Sequence, residues 1–270
     1  RVQLEWTPAV EHQLRFSLAP DLILRSGDER RPRSMNGVDP LEAERLLASG
    51  VTGIEYQLDV LDERLSNIVA IKSNLQAARS ERPLPTGGSE DQNRDTHAFG
   101  IADSVRYRLA EGLWSKASYE YATRLPQADE VFGDGVQVEE NLNLRPETSH
   151  NLNFGVASQS GPSRAGQVFA ELNLFYRDAR QLIRRVGASV YFSYQNTAAA
   201  RTLGSDVSLR WVAPGERAVL EGSATYQDSR NTASSGPDAA QRGDRIPNRP
   251  YAFGNASLEL RHPDLIRAGD

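Results

Sequence analysis

The sequence predicts an all-β fold: an antiparallel transmembrane β-barrel segment with long extracellular loops and short periplasmic turns. Three observations predict it. Apolar and polar residues alternate with period two over most of the chain. The alternating stretches approach the ~9–11 residues that a tilted membrane strand needs. The connections between them alternate between short and long, as they do between the two rims of an outer-membrane barrel.

About eleven strands follow, taken in order at 1–7, 12–26, 51–61, 66–80, 97–110, 112–124, 147–159, 166–179, 201–212, 217–229 and 247–262. In the first, Val2, Leu4 and Trp6 oppose Gln3 and Glu5. In the second, Leu14, Phe16 and Leu18 oppose Arg15 and Ser17. Val105, Tyr107 and Leu109 alternate with Arg106 and Arg108. Leu113, Ala117, Tyr119 and Tyr121 share a face, with Lys116, Ser118 and Glu120 opposite. In 147–159, Leu152, Phe154 and Val156 face away from Asn151 and Asn153. Val168, Leu172, Leu174 and Tyr176 oppose Glu171, Asn173 and Arg177. Leu220, Ala224 and Tyr226 oppose Glu221, Ser223 and Thr225, and the last strand repeats the pattern with Leu258 and Leu260 against Glu259 and Arg261.

Short turns are expected at 8–11, 62–64, 111–112, 160–166 and 213–216. Long connections are expected at 28–50, 81–96, 125–146, 180–200 and 230–246. The first long connection carries helix signals. Asp39 suits an N-cap, Pro40 the first helical position, Glu42 a capping box, and Gly50 the C-terminus of LEAERLLAS.

Composition agrees with this reading. The 270 residues carry a net charge of -5, which argues against a nucleic-acid partner. There is no cysteine, so no disulfide framework or thiolate site exists. No run approaches the roughly 18 apolar residues of a membrane-spanning helix. Mean hydropathy is -0.55, a value that barrels share with soluble proteins because only every second residue meets lipid. Trp6, Tyr121, Tyr176, Trp211 and Tyr226 lie near strand ends on the apolar face, where two aromatic girdles would fall. A β-sandwich with aromatic edges is the competing fold. The charged opposite face speaks against it, since a dry core does not tolerate such residues.

Catalytic and metal motifs are lacking. His12, His97, His150 and His262 are scattered, without metal-ligand spacing. Ser149–His150 suggests a hydrolase dyad but has no placed acid. Asp129, Glu130 and Asp134 would suit either a cation or a solvated loop. No cofactor is expected.

One region resembles a known family. YATRLPQADEVFGDG (121–135) followed by NLNLRPETSHNLNFG (141–155) resembles the C-terminal half of the barrel of TonB-dependent outer-membrane receptors. Tyr121, Arg124, Pro126, Glu130 and Phe132 carry the first part, and Asn141, Leu144, Pro146, Glu147 and Ser149 the second. LFYRDARQLI (174–183), YQNTAAARTLGSDVSLRW (194–211) and RIPNRPYAFGNASLELR (245–261) resemble later strands of the same barrel, with Asp206 where Glu is usual. The family has a ~22-strand barrel with a plugged lumen. Residues 1–270 are then expected to be a partial receptor barrel, with the plug domain and the final strands not in this chain.

The resemblance implies an outer-membrane, non-enzymatic receptor for a scarce ligand such as an iron–siderophore complex or cobalamin. It would be driven by the TonB energy-coupling system through that plug and would sit in outer-membrane lipid. It implies ligand contacts among Arg124, Phe132, Arg177, Tyr191, Tyr194 and Asn196. The alternatives are another outer-membrane barrel, porin or assembly and secretion type, an outer-membrane hydrolase, or a soluble β-rich binding domain.

Overall fold

A computed structural model describes residues 1–26, 44–83, 89–134, 137–188 and 191–261. Twelve strands form one sheet. They are β1 (Val2–Ala9), β2 (His12–Ser26), β3 (Glu44–Val60), β4 (Leu65–Pro83), β5 (Ser89–Ala110), β6 (Leu113–Arg124), β7 (Val138–Glu139), β8 (Glu147–Gln159), β9 (Gln167–Ala188), β10 (Tyr191–Val212), β11 (Ala218–Asn231) and β12 (Ala252–Leu260). Among the described residues one short α-helix, α1 (Ala128–Phe132), lies between β6 and β7. Every long strand pairs antiparallel with its neighbour in sequence, except that β6 pairs β8; the two-residue β7 pairs β10 in parallel. Among the described residues the ladder is open: β1 and β12 are each paired on one side only.

Because side chains alternate across a strand, the register assigns every residue to one of two faces. One cross-strand row reads Leu4, Phe16, Ile54, Ile71, Ile101, Tyr121 and His150. This outer face is apolar and exposed, with Leu4 at 67%, Ile71 at 54% and Phe154 at 52%. A sheet face this apolar and this open is a contact surface and not a solvated one. Within the apolar band polar residues pair with one another, as where Asn67 donates to Asp103 at 2.6 Å. The inner face carries Glu55, Lys116, Asn151, Asn153, Glu171 and Asp206. Leu152, Phe154 and Val156 therefore face outward and Asn151 and Asn153 inward, as the alternation requires.

The register also fixes the strand tilt. One row runs His12, Leu58, Asn67, Val105, Ala117, Phe154, Leu174, Ser205 and Tyr226. It starts beside the short turn before β2 and ends eight residues above Ala218, the first residue of β11 (226 − 218 = 8), after eight strand-to-strand steps. The row thus climbs one residue per strand. With ~3.3 Å rise per residue and ~4.8 Å between strands, the strands lean about 35° from the normal to that climb. A wide closed barrel needs this stagger.

The connections before β2, β4, β6, β9 and β11 all lie at one end. Leu61, Asp62 and Glu63 turn the β3–β4 hairpin with φ of 57°, 54° and 60°. Gly112 turns β5–β6 at φ 70°, where a Cβ would stand 2.1 Å from the Gln159 carbonyl oxygen, so no other residue fits.

Three expectations need correction. Residues 44–50, read as the end of a helix, form the start of β3, with Leu47 paired to Ile23 and Ala78; residues 39–43 lie outside the described residues. Local capping signals yield here to two neighbouring strands that supply the backbone partners. Residues 81–83 with 89–96, and 180–188 with 191–200, are extended hairpin arms and not loops, since β4 reaches Pro83, β5 begins at Ser89, and β9 and β10 pair at Ala188 and Tyr191. Their polarity marks solvent and not an end of pairing. The last strand is shorter than expected at its start, because Pro247 and Pro250 have no N–H to donate to a ladder.

Candidate functional site

The main buried apolar cluster of the described residues lies on the inner face, near the long-connection end. The segment between β6 and β8 (125–146) folds inward across the sheet. Ala128, Val131 and Phe132 of α1, with Leu142 and Leu144, pack on Leu47 of β3 and Ala78 of β4, flanked by Ile23, Ile183 and Tyr194. Phe132 is fully buried. The segment therefore touches two separated parts of the wall, β2–β4 and β9–β10.

Polar side chains of the wall fasten it. On the β2–β4 side, Gln76 donates to the Pro126 carbonyl at 2.8 Å and Ser80 to Glu140 at 2.8 Å, while Asn74 ties β4 to Thr123 at the end of β6 at 2.9 Å. Arg25 pairs with Asp129, and Arg45 approaches Glu140 at 3.7 Å. On the β9–β10 side, Asn141 donates to the Tyr194 carbonyl at 2.7 Å. The Asn196 amide accepts from Arg145 N–H at 2.8 Å and donates to the carbonyls of Arg145 and Gln181 at 2.9 and 2.7 Å.

Arg124, the last residue of β6, is the hinge of this arrangement. Its guanidinium grips Glu147 at 2.7 and 2.6 Å and Glu130 at 2.9 and 3.0 Å. Glu130 also accepts the Gln127 N–H at 2.8 Å, which closes the start of α1. Glu147 accepts the Ile183 N–H at 2.7 Å. Glu147 lies beyond the outer-face row His150–Asp178–Arg201, where charge replaces the apolar band. Burial pushes its carboxyl up, but the Arg124 and Ile183 bonds outweigh it and hold Glu147 below the usual glutamate range. Gly133 lets the chain leave α1 at φ 61°, with a Cβ position only 2.0 Å from the Val138 carbonyl oxygen.

Towards the short-turn end the inner wall is charged and open. A cleft of about 650 Å³ is lined by Arg106, Trp114, Lys116, Glu171, Arg210 and Glu221, among others. Lys116 pairs with Glu171 at 3.0 Å and Arg210 with Glu221 at 2.7 Å. Arg106 stacks on Trp114 at 5.1 Å.

Of the residues singled out from the sequence, Arg124, Phe132, Tyr194 and Asn196 come together around the inward segment. Phe132 is core, and the polar atoms of Arg124 and Asn196 are engaged within the chain. Arg177 is exposed on the inner face of β9 with its guanidinium 5.3 Å from the Phe175 ring, and Tyr191 is 64% exposed at the start of β10; neither joins that network. Trp6, Tyr121, Tyr176, Trp211 and Tyr226 all stand on the outer face. Trp6 and Trp211 adjoin short turns, and Trp211 donates to the Ala165 carbonyl at 2.8 Å.

Ser149 and His150 point to opposite faces, so they form no dyad; His150 instead bonds Tyr119 on the outer face at 2.9 Å. Asp129 and Glu130 are held by arginines, and Asp134 accepts two backbone N–H groups at 2.8 Å. Asn74, Gln76, Ser80 and Glu140 escaped sequence reasoning. The only signal was the polar side of the β4 alternation.

No curated protein matches the chain. Among solved structures, the chain is similar to the copper transporter OprC, with 13% identity and a TM-score of 0.73, over 96% of this chain and 41% of that one. It is also similar to the FrpB iron transporter from Neisseria meningitidis, with 12% identity and a TM-score of 0.68, over 97% and 40%. A third likeness is to a double mutant of the Serratia marcescens hemophore receptor HasR in complex with its hemophore HasA and heme, with 17% identity and a TM-score of 0.65, over 95% and 47%. The chain thus spans less than half the length of each. At these identities the likeness speaks for the fold. The family model for the TonB dependent receptor-like β-barrel matches residues 70–266, most of the chain. With that match over a two-faced, staggered, open ladder, the chain belongs to the TonB-dependent receptor β-barrel family.

Proposed function

We propose that this chain is part of the wall of an outer-membrane receptor that actively takes up a scarce ligand. One observation carries the reading: a staggered sheet with an apolar, exposed outer face and a charged inner face, matched by the receptor-barrel family over residues 70–266. The outer face meets outer-membrane lipid. The inner face lines a lumen too polar for a packed core. The short turns are periplasmic and the long connections extracellular.

The ligand is a small metal chelate. FrpB is an iron transporter, OprC a copper transporter, and a third similar structure, FauA from Bordetella pertussis, is an alcaligin receptor. An iron–siderophore complex fits this set better than cobalamin. Uptake is coupled to TonB through a plug domain outside residues 1–270. Arg177 and Tyr191, both exposed, are the contacts best placed to meet a ligand. Arg124, Phe132, Tyr194 and Asn196 shape the site by holding the 125–146 segment inward. Such a protein binds and translocates, and its reaction breaks no bond.

The test is growth. A strain lacking the full-length gene is given single iron chelates under iron limitation, with and without a functional TonB. Growth on one chelate that needs both the gene and TonB is the expected result. Diffusive, TonB-independent passage of many small solutes would assign the chain to a general porin instead.

A further inference from the structure

The outer face carries a row of arginines that the uptake reading does not use. At the long-connection end, Asp178, Arg201 and Arg230 are directly opposite one another on β9, β10 and β11, and Arg245 continues the row through an antiparallel bridge to Arg230. Three arginines thus stand in consecutive cross-strand positions, where side chains lie only ~4.5–5.5 Å apart at Cβ and like charges repel. Arg180, next along the outer face of β9, adds a fourth.

The nearby carboxylates do not balance this charge. Asp228 takes Arg230 at 2.8 Å and Arg245 at 3.2 Å, and Asp178 takes Arg180 at 3.0 Å. That is four cations against two anions. Arg201 is exposed and has neither a hydrogen bond nor an ion pair among the described residues. Arg245 sits over Tyr251, with its guanidinium carbon 3.8 Å from the ring centre, a cation–π contact that holds it beside the row.

The position of the row says what it meets. Below it on the same face come Tyr176, Leu203 and Asp228, the last taken up by Arg230 and Arg245, and then Leu174, Ser205 and Tyr226; of these, Leu174, Leu203 and Tyr226 are exposed apolar side chains. A molecule lying along this strip must be apolar below and multiply anionic above. We propose that the Arg201–Arg230–Arg245 row binds the phosphate groups of an anionic lipid in the outer leaflet, with its acyl chains on the Leu203–Tyr226 strip. Arginine forks suit phosphate oxygens, and arginines at a membrane surface each strengthen attachment to anionic lipid about fivefold.

This rests on the outer-membrane reading, so the full-length protein is first fractionated. Its absence from the outer membrane would overturn that reading and this one together. The rest of the test separates them. Protein in uncharged detergent micelles is titrated with diphosphorylated lipid A, with phosphatidylcholine and with inorganic phosphate, and the unfolding midpoint is followed. The Arg201→Gln/Arg230→Gln/Arg245→Gln variant is run beside it.

Lipid A is expected to raise the midpoint of the wild type at concentrations about 100-fold lower than for the variant, the product of three such increments. Phosphatidylcholine and inorganic phosphate are expected to give no saturable shift. An equal response of variant and wild type overturns the proposal while leaving the receptor reading untouched. Saturable protection by inorganic phosphate at the lipid A concentration would make this a free-anion site and overturn the lipid assignment. Should the triple variant fail to assemble, Arg201→Gln alone, which breaks no bond in the chain, must still weaken the lipid A response.

Discussion

The Glu147 carboxylate accepts from both the Arg124 guanidinium and the Ile183 N–H, so its charge is held by two strands at once. Its native pKa lies below the ordinary value. The sign follows directly: a depressed carboxylate stabilises the folded form above the unfolded value of about 4.3, and that contribution is lost as pH falls through the native value. Glu147→Gln keeps the shape and removes the charge, leaving Arg124 with Glu130 alone. The variant is expected to hold the 125–146 segment more weakly by roughly 1–3 kcal/mol at pH 7. The gap from wild type should close once pH falls below the ordinary glutamate range and through the lowered native value. Limited proteolysis of that segment across pH reads both effects. A gap that persists at low pH would place the effect in packing and not in charge.

At the scale of elements, strands with clean alternation and turn residues at both ends were legible: β2 and β8 run over the residues that the sequence assigns. Glu44–Gly50 was not legible, because its helix signals are local while its partners, β2 and β4, are distant in sequence. The extended arms of β4–β5 and β9–β10 were missed for a related reason. Period-two hydrophobicity disappears once both faces meet water, yet the ladder bonds continue.

The inward segment was half legible. Its residues stood out through a family resemblance, but its partners did not, since Arg25 reaches Asp129 across 104 residues of chain. Phe132 carries the packing of this element. Phe132→Ala is expected to remove about 3–5 kcal/mol from the seating of the segment. Hydrogen exchange on the full-length protein should then quicken through 125–146 while β5, β6 and β8 keep their protection. Unchanged exchange in the segment would mean that the polar clamps at Asn196 and Glu140 suffice without the aromatic anchor.

At the scale of the whole molecule, what matters is the stagger. No single strand reveals it, because a sequence read strand by strand gives faces and ends but not the offset between neighbours. The offset comes from where each short turn falls against its partner, and here it accumulates to eight residues between β2 and β11. The same climb explains why one row begins at Leu4 among lipid-facing residues and ends at Arg230 in the charged rim. A strip level with the membrane must cut across rows, dropping about one residue per strand. Trp6 and Trp211 can then share the lower girdle though they stand in different rows.

A barrel closed with this stagger holds its strands at about 35–45° to the membrane normal. Polarised infrared dichroism of the full-length protein in oriented bilayers should return a mean strand tilt in that range. A mean below about 20° would require a stagger of no more than about half a residue per strand. It would mean that the turns do not line up on one rim, and the assignment of the arginine row to the outer leaflet would fall with it.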